Sequence, residues 1–366
     1  MPTTTTQLIP GLPDDLSRDC LLRLKFPQFP SAASVCKSWN SEFHLPDFPR
    51  LRKLSSTSQN LFVFIQARVD PTQHHQTSGI AKYRPGPNFR LTVFEPATGL
   101  WSELPPPPSS LPMFCQVASV GSDLVLLGGL DPETWEPSTL VFAFSFLTGT
   151  WRRGTRIPGP TRSFFGCAAD PDRRTVYVVG GHDGEKNALR SCLAYDVSRD
   201  EWAPLPDMAW ERDECKAVFH RGMLHVIGGY RTEMQGRFER GAEVFDTGAA
   251  WRWGPVQDGF LETAACPRSC AIDDGDGVLY LCRRGEVVAR RSDTWRLVAV
   301  LPDDVGSPEY VAAWGEGRKM LVVGSARYGE PRQVYTLDLK ALAWEKLETP
   351  PAEYSGHVQG GCSVEI

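Results

Sequence analysis

A tryptophan recurs about every fifty residues through most of this chain. Trp101, Trp151, Trp202, Trp251, Trp295 and Trp344 are separated by 50, 51, 49, 44 and 49 residues. The text before each also repeats: VFEPATGLW, AFSFLTGTW, AYDVSRDEW, EVFDTGAAW, ARRSDTW and TLDLKALAW. Every copy reads as a short apolar strand, a polar turn and a strand that opens on the Trp. Upstream of four copies stands another apolar strand with a small-residue end: LVLLGG, VYVVGG, LHVIGG and MLVVGS. The complete pairs are Gly128-Gly129, Gly180-Gly181 and Gly228-Gly229. Paired glycines permit positive φ and close approach of another backbone. The fifth copy has LYLCRR and no glycine.

One such unit cannot bury both faces of its sheet, so the units must stack around an axis. Six copies make six blades. The first copy, from NLFVFIQARVD, lacks an inner strand ahead of it. The tail GHVQGGCSVEI, after the sixth Trp, reads as an inner strand similar to MFCQVASVG of the second copy. Residues 356–366 are therefore expected to complete blade one and remove exposed strand edges. Four short strands, a glycine pair and a late Trp per copy resemble the kelch repeat, over residues 60–366. The resemblance implies an all-β six-bladed propeller.

Other function classes fit poorly. A net charge of −5 argues against an electrostatic nucleic-acid or anionic-membrane binder. The apolar runs are far shorter than the ~20 residues a bilayer needs. The opening MPTTTTQLIPG lacks a basic region followed by an apolar run, so the expected location is cytoplasm, nucleus or both. The ten cysteines include no CxxC pair. Cys115, Cys167, Cys215, Cys270 and Cys282 lie in strand-like segments and read as small buried hydrophobes. His74 and His75 lack partner ligands at metal-site spacing, so no metal and no cofactor is expected. A copper oxidase with a radical cofactor is built on kelch blades, but such a site needs converging His and Tyr ligands. No GxSxG, P-loop or HExxH motif is present, and no catalytic residue is assigned.

Strand alternation places the loops before each inner strand and the loops after each glycine pair at one end of the ring. The first set contains Arg162, Arg212 and Arg268, with Tyr310 nearby. The second supplies Trp135, His182, Lys186, Arg231, Arg237, Arg327 and Tyr328. Arginine and aromatics are favoured at binding hot spots, so this end is the expected substrate face. The competing reading has the arginines pair with neighbours such as Asp213 and Glu214, or simply cap loops.

Ahead of the repeats, residues 1–7 read as disordered. GLPDDLSRDCLLRL has Pro13 suited to a first helical turn, followed by two acids, and Leu16, Cys20 and Leu24 on one face. KFPQFP breaks that helix. A second helix is expected from Ser31, with Ala32, Val35, Cys36, Trp39 and Phe43 on one face. Residues 46–59 read as a linker. On pattern alone the apolar face could cover the propeller or an external partner.

LPDDL, CLLRL and VCKSW have the order and spacing of the F-box motif, over residues 8–45. Leu12, Pro13, Leu16, Leu21, Leu24, Val35, Cys36 and Trp39 occupy its apolar positions. An F-box followed by kelch blades is an architecture of plant proteins. The resemblance implies docking on the Skp-type adaptor and, through it, the cullin of an SCF ubiquitin ligase, with the propeller holding a protein substrate. The expected role is non-catalytic: it brings a substrate lysine near the conjugating enzyme. Segments such as RSFFGCAAD, GGHDGEKNAL and ERDECKAVFHRGMLHVIGGY further resemble a plant group that targets phenylalanine ammonia-lyase and so restrains phenylpropanoid synthesis. Some of that group are tied to cytokinin response regulators instead. The rival expectation is a kelch scaffold that recruits no ligase.

Overall fold

The structure, a computed structural model, describes residues 7–69, 88–273, 275–291, 293–315, 317–327 and 330–366. Residues 1–6, His74, His75 and Tyr328 lie outside the described residues.

Six four-stranded antiparallel sheets form the blades of a propeller. Blade two is typical, with an inner strand Gln116–Val120, then Asp123–Leu127, Val141–Ser145 and an outer strand Thr150–Gly154. Its middle strands are almost wholly buried because each sheet is sandwiched between two others. That is why LVLL and VFAF are continuous apolar runs rather than alternating ones. The outer strand TWRRG is mostly exposed and polar.

Blade one closes the ring as the sequence leads one to expect. Its strand order is Val358–Glu365, Asn60–Ala67, Phe89–Glu95 and Leu100–Glu103. Phe62 sits between Ser363 of the tail and Phe94 of the next strand. The inner strand of the tail packs beside those of blades two and six.

The repeating tryptophans fasten each blade to the one before. Trp151 donates its indole N–H to Pro105 O at 2.9 Å, and Trp202 to Thr155 O at 2.8 Å. Trp295 and Trp344 donate to Phe260 O and Val300 O, both at 2.8 Å. In blade four the residue in this role is Trp253, which donates to Pro206 O at 2.7 Å. Trp251, the sequence expectation, lies in the turn with φ +45° and is 45% exposed. The register decides it: Trp253 pairs with Phe245, as Trp202 pairs with Tyr195. Trp101 lies instead against Phe94 and Tyr354, at 4.6 and 5.8 Å between rings.

The glycine pairs lie where the next blade's loop crosses. Gly180 has φ +62°, and a Cβ there would fall 2.3 Å from Arg212 O. Gly181 donates its N–H to that same oxygen at 2.9 Å. Blade five needs no such pair. Its second strand Leu279–Arg283 turns through Arg284 and Gly285, both at positive φ, straight into Glu286–Arg291. This two-residue hairpin replaces the longer loop of blades two to four.

Four helices precede the ring: α1 Asp14–Leu22, α2 Phe29–Val35, α3 Lys37–Phe43 and α4 Asp47–Leu54. Two sequence expectations change here. The helix expected to run on from Ser31 is broken at Cys36, whose backbone is extended (φ −160°, ψ 164°). The segment 46–59, read as a linker, is mostly α4, with Asp47 in its first turn and Arg52 and Lys53 in its last, as the helix dipole favours. Phe48 of α4 completes a cluster with Phe29 and Phe43, rings 5.3 to 6.1 Å apart and edge to face. Over Phe29 lies the buried Arg52 guanidinium, which donates to Leu22 O, to Leu24 O at 2.9 Å and to Thr57 O at 2.8 Å. Burial lowers its pKa to about 10.

This core is continuous with that of blades one and two. Phe26 meets Phe146 edge to face at 6.1 Å, and Pro30 covers Gly149. The contact lies at the end of the ring where Asn60 begins its strand and Glu365 ends its own. The loops expected to form the substrate face are at the other end.

Candidate docking surfaces

The break at Cys36 sorts the eight F-box positions. With α2 and α3 no longer one rod, Val35 and Cys36 turn outward while Ala32 and Phe43 stay inside. Leu16 on α1 is 51% exposed and Val35 is 61% exposed, with Pro13, Cys20 and Cys36 also exposed. Leu12 is half-buried. Exposed leucine and valine on a packed module form a surface that water disfavours and a partner can cover.

Leu21, Leu24 and Trp39 are placed differently. Leu21 is buried in the module's own core. Leu24 and Trp39 pack partly against that core, and Trp39 donates its indole N–H to Leu8 O at 2.7 Å, pinning the incoming chain. Residues that seat the module, Phe29, Phe48, Arg52 and Gln59, escaped the sequence reading. For Phe48 and Arg52 the signal was present in the amphipathic run DFPRLRKL.

At the opposite end, the predicted arginines also divide. Arg162 is 2% exposed and donates to Gly180 O, Ser191 O and Ser191 Oγ. Arg212 is 1% exposed; it pairs with Glu243 at 3.2 Å and donates to Gly228 O and Gly241 O. Both are struts tying a loop to the strand end beside it, and neither can contact a substrate. Tyr310 is likewise buried, against Phe62 and Phe64. Arg268 escapes this fate because the matching position is occupied by Pro267; shifted by one residue, Arg268 is exposed.

Of the loop residues, Trp135 is 59% exposed and has φ +61°. Lys186, Arg237 and Arg327 are exposed. Arg231 lies over Trp210 at 4.0 Å and pairs with Glu239 at 2.9 Å, so it is half committed to its own loop. His182 hydrogen-bonds Asp213 at 2.8 Å through Nδ1 and stacks on Phe164.

At the centre of this end a cavity of about 120 Å³ opens on the propeller axis. Phe114, Phe164, Glu214, Lys216, Arg268 and Glu309 are among its walls. Burial raises the Glu309 carboxyl, but hydrogen bonds from His357, Arg332 and Val358 N–H outweigh it and hold the pKa at about 2. Burial raises the Cys115 and Cys167 thiols along the same channel to about 12, far from a nucleophile's range. Among the described residues no group of three or more side chains could hold a metal ion, and no helix is long and apolar enough to cross a membrane.

A helical module with an exposed apolar face, packed on a ring with an open opposite end, has the build of a two-ended binding protein. The comparisons give that class its family. The F-box domain model matches residues 9–51, and the Kelch motif model matches residues 162–209. The chain is 52% identical to the F-box/kelch-repeat protein At1g15670 of Arabidopsis thaliana, over 98% of this chain and 100% of that one. It is 49% identical to F-box/kelch-repeat protein At1g80440, with the same coverage, and 35% identical to At2g44130 over 73% of this chain and 69% of that one, both from the same plant. The chain belongs to the F-box/kelch-repeat proteins. That pairing of domains implies a substrate-recognition subunit of an SCF ubiquitin ligase, with a Skp-type adaptor on the F-box and a protein substrate on the propeller. Proteins of this family are generally non-catalytic adaptors.

Proposed function

We propose that this chain docks the Skp-type adaptor through Leu12, Pro13, Leu16, Val35 and Cys36 and presents phenylalanine ammonia-lyase for ubiquitination, restraining phenylpropanoid synthesis. The observation that carries the receptor reading is the seating of the F-box. The module buries one face on blades one and two yet leaves Leu16 and Val35 in water. A module that served only to cap the propeller would have no use for that second apolar face. The enzyme identity rests on the likeness of RSFFGCAAD, GGHDGEKNAL and ERDECKAVFH to the plant group named above.

Two measurements test this. The chain should co-purify with the Skp-type adaptor and, with it, cullin. In plant cells overexpressing the chain, the level of phenylalanine ammonia-lyase should fall and should recover on proteasome inhibition. An unchanged enzyme level with the adaptor still bound refutes the choice of substrate and leaves the receptor reading standing.

A further inference from the structure

The opening on the propeller axis has a chemistry of its own. Phe114, Phe164 and Glu214 occupy the same place in blades two, three and four, and all three have left-handed backbones, φ +55°, +53° and +50°. For residues with a Cβ this conformation is unfavourable. Three consecutive blades bear the same strain, and each time it turns a side chain toward the axial cavity. The rings of Phe114 and Phe164 lie 5.0 Å apart, and His182 stacks behind Phe164 at 5.5 Å. One wall is therefore aromatic.

The other wall carries charge. Glu309 is taken up by Arg332 and His357, and Asp213 by His182. Glu214 accepts the Tyr230 hydroxyl at 3.0 Å. Lys216 and Arg268 also line the cavity, and neither has an ion-pair partner among the described residues. Lys216 stands on the inner strand Lys216–His220 of blade four, which Gly166 of blade three lets approach closely: a Cβ at Gly166 would fall 3.1 Å from Ala217 N. Burial lowers the Lys216 ammonium below its ordinary value, and Arg268 acts in the same direction. A carboxylate placed between the two cations would relieve both effects.

Resting on the receptor reading above, we propose that this opening recognises an acidic side chain next to an aromatic or large apolar one, on a protruding segment of the protein substrate. The carboxylate meets Lys216 and Arg268, and the neighbouring side chain lies on Phe114 and Phe164. At about 120 Å³ the cavity admits a side chain, not a folded element. Specificity comes from charge as well as fit, since a basic residue here would face two cations.

The test selects a phage-displayed library of random twelve-residue peptides on the immobilised full chain. Enriched peptides are expected to share an Asp or Glu beside Phe, Tyr, Trp or Leu. Their affinity should fall about tenfold or more on Lys216→Met or Arg268→Ala, and much less on Lys216→Arg. Thermal melting and adaptor binding of each variant report that it is folded. Basic or purely apolar consensus peptides, acidic peptides indifferent to Lys216→Met, or no enrichment on a chain that still binds the adaptor would each overturn the proposal. Loss of adaptor binding by the unaltered chain would instead refute the receptor reading.

Discussion

Gln59 and Ile366 exchange both of their backbone hydrogen bonds, at 2.7 and 2.9 Å. That pair continues the ladder joining the first strand of the ring to the last. The Gln59 side chain faces the other way: its amide donates to Glu95 at 2.7 Å and its carbonyl accepts the Phe26 N–H at 2.7 Å. One residue thus joins the seam of the propeller to the helical module. Gln59→Ala leaves the Phe26 N–H and the Glu95 carboxylate without it. We expect a loss of about 1–3 kcal/mol in urea unfolding and faster proteolysis between α4 and the first strand.

Removing residues 356–366 takes the inner strand from blade one and exposes strand edges at the seam. The truncated chain should aggregate or lose its β-sheet circular dichroism. A monomer with native spectrum and unchanged melting temperature would contradict closure through this strand.

Exposed and buried F-box positions should behave differently. Val35→Asp and Leu16→Asp alter residues already in water, so melting should move little while adaptor affinity drops about tenfold or more. Leu21→Asp puts a charge into the module's core and should unfold it, about 3 kcal/mol or more. Calorimetry beside a pull-down separates the two effects.

The blade-four tryptophans provide an internal control. Trp253→Ala removes the indole bond to Pro206 and the contact with Phe245, and should cost about 3 kcal/mol. Trp251→Ala should cost about 1 kcal/mol or less, because the side chain is half in water.

Glu309 makes the seam acid-sensitive. Its folded pKa of about 2 lies below the ordinary value of 4.5. The stabilisation, up to about 3 kcal/mol, is complete above pH 4.5 and is lost as pH falls through about 2. Glu309→Gln should flatten the dependence of unfolding free energy on pH in that window. It should also weaken the attachment of His357 and Val358, to which the carboxylate is bonded.

Much of this was legible in the sequence, and the misses have physical causes. The fifty-residue period and the orphan tail sufficed for six blades and their closure, because a blade's sandwiched strands must be apolar on both faces. The period could not choose between Trp251 and Trp253, two residues apart; the pairing of Trp253 with Phe245 does. Helical periodicity ran unbroken through Cys36, since a break need not disturb the spacing of apolar residues around it. Arg162 and Arg212 sit in surface-like text, yet their guanidiniums reach beneath the loops to carbonyls far along the chain. In blade four Glu243 neutralises that arginine, whereas the matching position in blade three is Leu193. Arg162 is thus held by carbonyls and a hydroxyl alone, and burial lowers its pKa.

The attachment of the helices at the ring's seam couples two failures. The strands that Gln59 joins are those whose separation would open the ring. A receptor whose ring comes apart there also loses the anchor that aims its F-box. The same residue stands in both joints, so opening the ring would also slacken the seat of the helices.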